Sequence, residues 1–389
     1  MAEDSAPTVE EAKAAALRVL RHNLQGPCEN LPRTAGWGYP EPYTRDLMIS
    51  AFGMLASGDT QLIDAVRRVL QTLARNRSPL GHIPSLAHDP GDRGASDTTP
   101  LFLIGLALYR RVSGETTFLE EAAEQALTWM EYQSPGDQVM VGQLPTSDWR
   151  DEQWVMGFGL YVNVLLYLAL RLFGRDERAT QLRSLTSHFV VSEESPLRYI
   201  HEGLVVPHKP YFALWAYKIF SSERFDLLGN SLAVLSGLAA PHRSRLLIRW
   251  IEDECDGLRA RNDLCVDLPP NLFPYLRPGD PDWLPRYKRF NQPGEYHNGG
   301  IWPFICAFYV VATLAAGFPR LAVRQLDALT CLVKPACDPE LSFGFNEWIR
   351  AQDGIPRGND WQTWSAAMYL YAAACVEQGR PIFFDEIRR

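Results

Sequence analysis

Residues 146–172 read TSDWRDEQWVMGFGLYVNVLLYLALRL: nine residues carrying three carboxylates and two tryptophans run straight into an almost wholly apolar stretch. In that stretch apolar residues recur three and four apart, which predicts a helix over 154–173. The same spacing recurs along the chain, at about 9–24, 43–57, 61–76, 97–113, 117–133, 176–190, 209–220, 223–239, 241–252, 298–316, 320–335 and 359–377. Asp97-Thr98-Thr99 and Ser221-Ser222-Glu223 read as helix starts. No run of alternating strands separates these segments, and short Gly and Pro punctuation suits hairpin-connected helix pairs.

The longer connections are the unusual part. They span 31–42 (LPRTAGWGYPEP), 80–96, 134–153, 191–208, 254–297 and 337–358, and they hold Trp37, Trp149, Trp283 and Trp348 among many acids. Loops of that length inside a compact helical chain carry function or are disordered; this aromatic content is not a disorder composition. The expected fold is therefore all-α: an α/α toroid of inner and outer helices, with ordered loops walling a pocket at one end. An α-solenoid would need a repeat of roughly 33–47 residues, and none is visible. The 389 residues are expected to form one such domain, 1–389, since 46% apolar residues suffice for a large core.

Charge narrows the partners. A net charge of −8 with no Lys/Arg-rich run argues against nucleic acid and anionic membranes, which attract a basic face. No apolar run reaches the ~18 residues of a membrane span, and the acidic start MAEDSAPTVEEAKAAALRVL lacks the features of a signal peptide. The seven scattered cysteines form no CxxC pair, so they read as buried, reduced thiols of a cytoplasmic protein with no metal site. No cofactor is implied. A homo-oligomer is compatible with the sequence.

Four constellations can carry chemistry. In TSDWRDEQW, Asp148, Asp151 and Glu152 precede a helix, where carboxylates also serve as ordinary caps; Trp149 and Trp154 between them suit a sugar, with its polar edge and apolar C–H faces. In FGFNEWIRAQDGIPRGNDWQTWS (343–365), Glu347 stands beside Trp348, and desolvation there would raise its pKa. Trp361 and Trp364 follow, three apart on one helical face, with Gln362 between them. In GEYHNGGIWP (294–303), Tyr296, His297, Asn298 and Trp302 cluster around Gly299 and Gly300, which permit tight turns close to a ligand. In WGYPEPYTRDLMIS (37–50), Trp37 and Tyr39 lead to Arg45 and Asp46 at a helix start, and Asp97 occupies an equivalent place. Acids at the starts of separate helices read as one rim.

In this order the motifs resemble the (α/α)6-barrel α-glycosidases, nearest the neutral/alkaline invertases and the amylo-1,6-glucosidase domains of glycogen-debranching enzymes, with trehalase-like enzymes nearby. YHNGGIWP is nearly the invertase YHNGGSWP. The debranching-type TWMDA is similar to residues 148–152 and implies Asp151 as general acid. The invertase WPEYYDG followed by a QTW helix resembles Phe345-Asn346-Glu347-Trp348 followed by Gln362-Thr363-Trp364, which implies Glu347 as general base. RDF falls on Arg45-Asp46, implying that Asp46 holds hydroxyls of the −1 sugar. Where the family reads EIQ or EIN this chain has Tyr161-Val162-Asn163, and DRRMGIYG is absent, so sucrose specificity does not carry over directly.

The expectation is an inverting hydrolase of a small α-glucoside: sucrose, trehalose, a glucosylglycerate-like compound or a short maltooligosaccharide. Inversion needs one carboxylic acid for the leaving oxygen and one carboxylate for a water on the other face, roughly 6.5–9.5 Å apart. Asp151 and Glu347 are the expected pair, with Asp148 the alternative acid. Trp37, Tyr39, Arg45, Asp46, Asp97, Asp148, Trp149, Tyr296, His297, Asn298, Gly299, Trp302, Trp361, Gln362 and Trp364 are expected to bind sugar. Two other classes stay open: a sugar epimerase on the same barrel, using His201, His208 or His297, and a non-catalytic carbohydrate-binding protein.

Overall fold

The structure, a computed structural model, describes residues 6–136, 139–186, 209–217 and 220–388. Its first half contains α1 (Val9–Asn23), α2 (Thr44–Ala56), α3 (Thr60–Asn76), α4 (Thr98–Ser113) and α5 (Glu120–Tyr132). Strand β1 (Phe158–Gly159) leads into α6 (Leu160–Leu172) and α7 (Asp176–Leu185), followed by β2 (Ala213–Tyr217), β3 (Phe220–Asp226), α8 (Leu227–Leu235) and α9 (Pro241–Ala260). Then come β4 (Leu272–Phe273), a four-residue turn of helix α10 (Tyr287–Phe290), α11 (Pro303–Ala315) and α12 (Pro319–Leu332). The hairpin β5 (Trp348–Ile349) and β6 (Pro356–Arg357) precedes α13 (Thr363–Gln378).

Six helices carry apolar residues around most of their circumference, and a helix of that kind has to be buried on every side. They are α2, α4, α6, α8, α11 and α13, each buried along nearly its whole length. They touch in a closed cycle, α2 to α4 to α6 to α8 to α11 to α13 and back to α2. Outside them lie α1 against α13, α3 against α2 and α4, α5 against α4, α7 against α6, and α12 against α11 and α13. The sixth outer helix, α9, is tied to α11 by the Tyr309 hydroxyl donating to the Glu252 carboxylate at 2.7 Å. This is an (α/α)6 barrel, as expected from the helical periodicity.

The outer helices show why they stay outside. On α3 only Leu62, Ala65, Val66, Val69, Leu70, Thr72, Leu73 and Ala74 are buried, one stripe at helical spacing, and Asp59 caps its start through the amides of Gln61 and Leu62. Burying a Leu, Val or Phe side chain stabilises by roughly 1.5–3 kcal/mol, against about 0–1 kcal/mol for an exposed ion pair. The inner ring therefore holds the barrel together, and the many surface Arg–Glu pairs are secondary.

Around 209–226 the helical expectation fails. Residues 213–217 and 220–226 are strands rather than parts of two helices, and Ser221-Ser222-Glu223 lies within β3 instead of starting a helix. They join a four-stranded antiparallel sheet in the order β1-β2-β3-β4, with Ala213 opposite Phe225 and Phe225 opposite Phe273. A short, continuously apolar run such as YFALWAY fits either period, and here cross-strand pairing decides. The true start of α8 is Asp226, whose carboxylate accepts from the Leu228 and Gly229 amides at 3.1 and 3.0 Å. The sheet feeds α6 and α8 and lies at the end of the barrel where the acidic loops gather. The cysteines are all free, but only Cys255, Cys306 and Cys375 are buried; Cys265, Cys331 and Cys337 are exposed, unlike the sequence expectation. No helix among the described residues is long and apolar enough to cross a membrane.

The ring closes where α2 meets α13. A Cβ placed on Gly53 would approach the Ala367 carbonyl more closely than the 3.0 Å that real Cβ atoms keep. Because the obstacle is backbone, no rotamer change relieves it. Gly53→Ala is therefore expected to destabilise the fold by roughly 1–3 kcal/mol and Gly53→Val by more, read as the midpoint of urea unfolding; an unchanged midpoint would refute the closure described here.

Candidate active site

Two loops at one end of the barrel present Glu347 and Asp151. The Glu347 loop is bound on all sides. The Glu347 amide donates to the Asn359 carbonyl at 3.1 Å, the Gln362 amide to Phe345 at 3.0 Å, and the Ser365 hydroxyl to Asn346 at 2.9 Å. Asn346 also donates to Asp360, whose carboxylate accepts the amides of Cys337 and Asp338 as well. Glu347 itself is only 8% exposed. Among the described residues its carboxylate accepts from one backbone group, the Asn359 amide, at a long 3.4 Å. Gly358, at φ +71°, leaves just the space that this carboxylate fills. Burial, with a smaller contribution from Asp151, raises the Glu347 pKa to about 7.

The Asp151 loop is anchored by Asp148, Trp149 and Arg150, which are buried, while Asp151 points outward. Asp148 is buried, with one oxygen accepting the Arg150 amide at 2.8 Å and the other accepting from Gln143 at 3.1 Å. Arg150, fully buried, lies over the Trp149 ring and forms an ion pair with Asp226, the residue that caps α8. Asp151, by contrast, has 62% of its side chain exposed. The surrounding walls still remove enough water to raise its pKa, although solvent screens that effect. Its Oδ1 lies 3.9 Å from His297 Nε2, and His297 is held neutral by burial, helped by Arg150 and Arg45.

The floor comes from α2 and α4. Arg45 grips Asp97 with two bonds, Nε to Oδ2 at 2.6 Å and Nη2 to Oδ1 at 3.0 Å, the fork geometry that makes such pairs strong. Asp46 makes no ion pair among the described residues, and burial, only partly offset by the charge of Arg45, raises its pKa to about 7. Two phenols face the same space. The charge of Glu347, then burial, pushes Tyr39 up to about 12, with Asp151 and Asp46 adding to it. Tyr296 is raised by burial and then by Asp151 and Glu347. Both hydroxyls are therefore protonated near neutrality and able to donate. At the mouth, Trp37, 58% exposed, packs on Trp361 with ring centroids 5.0 Å apart. Four of the loop residues here adopt a left-handed backbone without being glycine: Thr146, Tyr296, Phe345 and Trp361, at φ +60°, +45°, +42° and +57°. Such strain persists only where the surroundings over-determine it.

The structure thus brings Trp37, Tyr39, Arg45, Asp46, Asp151, Tyr296, Glu347 and Trp361 to one place. Several other expected sugar ligands are buried and engaged within the protein. Asn298 is fully buried and its amide is used up: Oδ1 accepts from the Leu276 amide, and Nδ2 donates to the Leu276 and Asn291 carbonyls. Gly299 is required because a Cβ there would strike the Tyr275 ring. Asp97 is buried and acts through Arg45, Asp148 braces its own loop, and Gln362 is buried beneath α13's start. Trp302 donates its indole N–H to the Tyr296 carbonyl at 3.0 Å. Trp149 and Trp364 lie in the same buried aromatic cluster, Trp149 edge-on to His297 at 5.0 Å and Trp364 stacked on Phe304 at 4.0 Å. Tyr161, standing where the resembled families have a glutamate, buries its hydroxyl near Asp97 and Arg45. His201 and His208 lie outside the described residues. Two clefts of about 710 and 810 Å³ exist elsewhere, around Trp129 and around Trp250. Among the described residues no carboxylate lines the first, and the carboxylates of the second, Glu223, Glu254, Asp263 and Asp282, stand among Lys209, Arg224, Arg261 and Arg277, so chemistry rather than volume selects this site.

Comparison with known proteins agrees with this picture. The profile of the alkaline and neutral invertase family matches residues 220–379. The chain is 27% identical over 155 residues to alkaline/neutral invertase CINV2 of Arabidopsis thaliana and 28% identical over 157 residues to cytosolic invertase 1 of Oryza sativa subsp. japonica. Each match covers 40% of this chain, which spans only about a quarter (26%) of those relatives. Among solved structures, a GH63 mannosylglycerate hydrolase from Thermus thermophilus, in complex with Tris and D-glycerate, superposes with a TM-score of 0.68 at 16% identity, over 92% of this chain and 99% of that one. A glycosidase variant in complex with glucose gives 0.64 at 16%, over 95% and 97%. These matches bear out the motif resemblance and the barrel.

A buried carboxyl with a raised pKa weakens the fold when it ionises. Its folded value of about 7 lies above the ordinary 4.5, so its contribution is fully present below about 4.5 and lost as pH rises through 7. Glu347→Gln, which never ionises, should therefore gain stability over the parent between pH 5 and pH 8.5, by up to roughly 3 kcal/mol from a shift of that size. Denaturant unfolding at the two pH values measures this; a difference between the proteins that does not change with pH would contradict the burial of Glu347.

Proposed function

We propose that this protein is an inverting α-glycosidase that hydrolyses a small α-glucoside, sucrose or a related disaccharide or glucoside. One observation carries the reading: two carboxyl groups on separate loops, one open and one buried, share the space into which Tyr39 and Tyr296 project. The division of roles follows the motif resemblance, which implies Asp151 as acid and Glu347 as base; the water-excluding site raises the pKa of both carboxyls. The invertase matches support the substrate class. The solved neighbours, with D-glycerate in one and glucose in the other, support a site for one hexose and a small leaving group.

In this mechanism Asp151 enters protonated and gives its proton to the glycosidic oxygen as the bond to the anomeric carbon breaks. Ionised Glu347 takes a proton from a water that attacks the same carbon from the opposite face, so an α-glycoside releases a β-sugar. The water supplies its oxygen to the sugar and one proton to Glu347. Before the next cycle Glu347 releases that proton to solvent and Asp151 takes one up. Arg45 and Asp46 on the floor hold sugar hydroxyls, the arginine fixed in direction by Asp97. The protonated phenols of Tyr39 and Tyr296 donate hydrogen bonds between the two carboxyls. Trp37 and Trp361 offer aromatic planes at the entrance to the apolar face of the substrate.

Screening α-linked disaccharides and glucosides by NMR is expected to show hydrolysis with the β-anomer appearing first; an α-anomer would overturn inversion. Asp151→Asn and Glu347→Gln should each lower turnover by roughly 10²–10⁴-fold or more with the fold intact, and full activity in either would overturn the assignment. Because Glu347 has to be ionised and its pKa is about 7, kcat/KM should fall as the pH drops below neutrality. An acidic limb near pH 4 would contradict a base whose pKa is raised by burial.

A further inference from the structure

Asp151 stands outside any helix or strand, so something other than the backbone ladder must set its position. On its inner side Arg150 and Asp148 do so. On the other side its loop is held by a short strap, residues 286–291. Arg286 pairs with the Glu152 carboxylate, the Trp154 amide donates to the Tyr287 hydroxyl at 2.8 Å, and Asn291 Nδ2 donates to the Glu152 carbonyl at 2.8 Å.

Asn291 differs from the others in what its second end holds. Its Oδ1 accepts the His297 amide at 3.0 Å, and its carbonyl accepts from Asn298 at 2.9 Å. The side chain is 1% exposed. It therefore ties the loop of Asp151 to the loop of His297, whose ring lies against the Asp151 carboxyl. The His297 loop is in turn joined to the Glu347 hairpin, by paired Ile301 and Ile349 amides at 2.8 Å and by the Ala351 amide to Gly294 at 3.0 Å. A continuous chain of hydrogen bonds thus runs from one carboxyl loop to the other, and Asn291 is its link to Asp151. Only a carboxamide can do this at that size, because one end has to accept and the other has to donate.

We infer that Asn291 is a positioning residue that sets the Asp151 carboxyl against the leaving oxygen; this rests on the reading of Asp151 as general acid. An acid displaced by a fraction of an ångström protonates poorly, while attack by water is untouched. The effect should therefore depend on how much the leaving group needs a proton. Asn291→Ala removes both bonds. Asn291→Asp keeps the shape and the acceptor but sets a carboxylate oxygen against the Glu152 carbonyl.

Both variants are compared with the parent on a disaccharide found in the screen and on α-glucosyl fluoride, whose fluoride leaves with little protonation. The expected result is a drop in kcat on the disaccharide of roughly 10- to 100-fold, with fluoride hydrolysis and the acidic pH limb nearly unchanged, and unfolding midpoints showing both variants folded. If one variant does not fold, the other decides. Equal losses on both substrates, or no loss on either, would overturn the inference. Asp151→Asn in the same assay separates the two claims: selective loss on the disaccharide keeps Asp151 as acid whatever the Asn291 variants do, and absence of that selectivity refutes the acid itself.

Discussion

Where α2 crosses α13, Gly53 lies directly against the Ala367 backbone, and this contact joins the beginning of the barrel to its end. The mouth depends on it. Just before α2 come Trp37 and Tyr39, and its first turn carries Arg45 and Asp46; just before α13 comes the Glu347 loop. Hydrogen bonds then stitch the two entrances together, the Gly36 amide to the Trp361 carbonyl at 3.1 Å and the Thr363 amide to Thr34 at 2.9 Å. Asp46 and Glu347 share one floor because two helices at opposite ends of the chain pack backbone to backbone. A larger residue at the crossing would separate the helices and with them the carboxyls.

Charge is distributed so that the site stays reactive. Two arginines near it are committed, the partly buried Arg45 to Asp97 and the fully buried Arg150 to Asp226. Each has rigidity to give: Arg45 is pinned in direction and Arg150 pins the loop beside it. Neither arginine is spent on Glu347, Asp46 or Asp151, and all three have raised pKa values. A barrel built only for stability would pair those carboxyls or replace them. Perturbed groups concentrated in one concavity are the usual mark of a site whose chemistry needs them, and here the left-handed backbone at Tyr296, Phe345 and Trp361 points to the same place.

Much of this is legible in the chain because burial writes a strong pattern. Helices buried on all sides, such as Leu160–Leu172 and Pro303–Ala315, need apolar residues throughout, and the acid- and tryptophan-rich loops stand out against them. The stretch 213–226 misleads because a short apolar run carries no period of its own. Asp148 and Asp151, three residues apart, look alike in sequence. What separates them is that Asp148 has hydrogen-bond donors at both oxygens and Asp151 faces the opening. Asn298 and Gly299 belong to the most recognisable motif, and the structure shows what the turn itself needs from them: a carboxamide that bonds the Leu276 backbone and a position where a Cβ would strike Tyr275.

By itself the sequence determined the helical class, most of the helices, the family likeness and the candidacy of Asp151 and Glu347, because periodicity and local motifs are properties of neighbouring residues. The tertiary structure alone decided which acids face the opening, which are consumed as braces, and that Asn291 links two loops. Those outcomes depend on donors and acceptors brought together from distant segments, such as Asn291 with Glu152 or Arg45 with Asp97. Burial, which only the tertiary structure decides, does most to set the charge of these carboxyls.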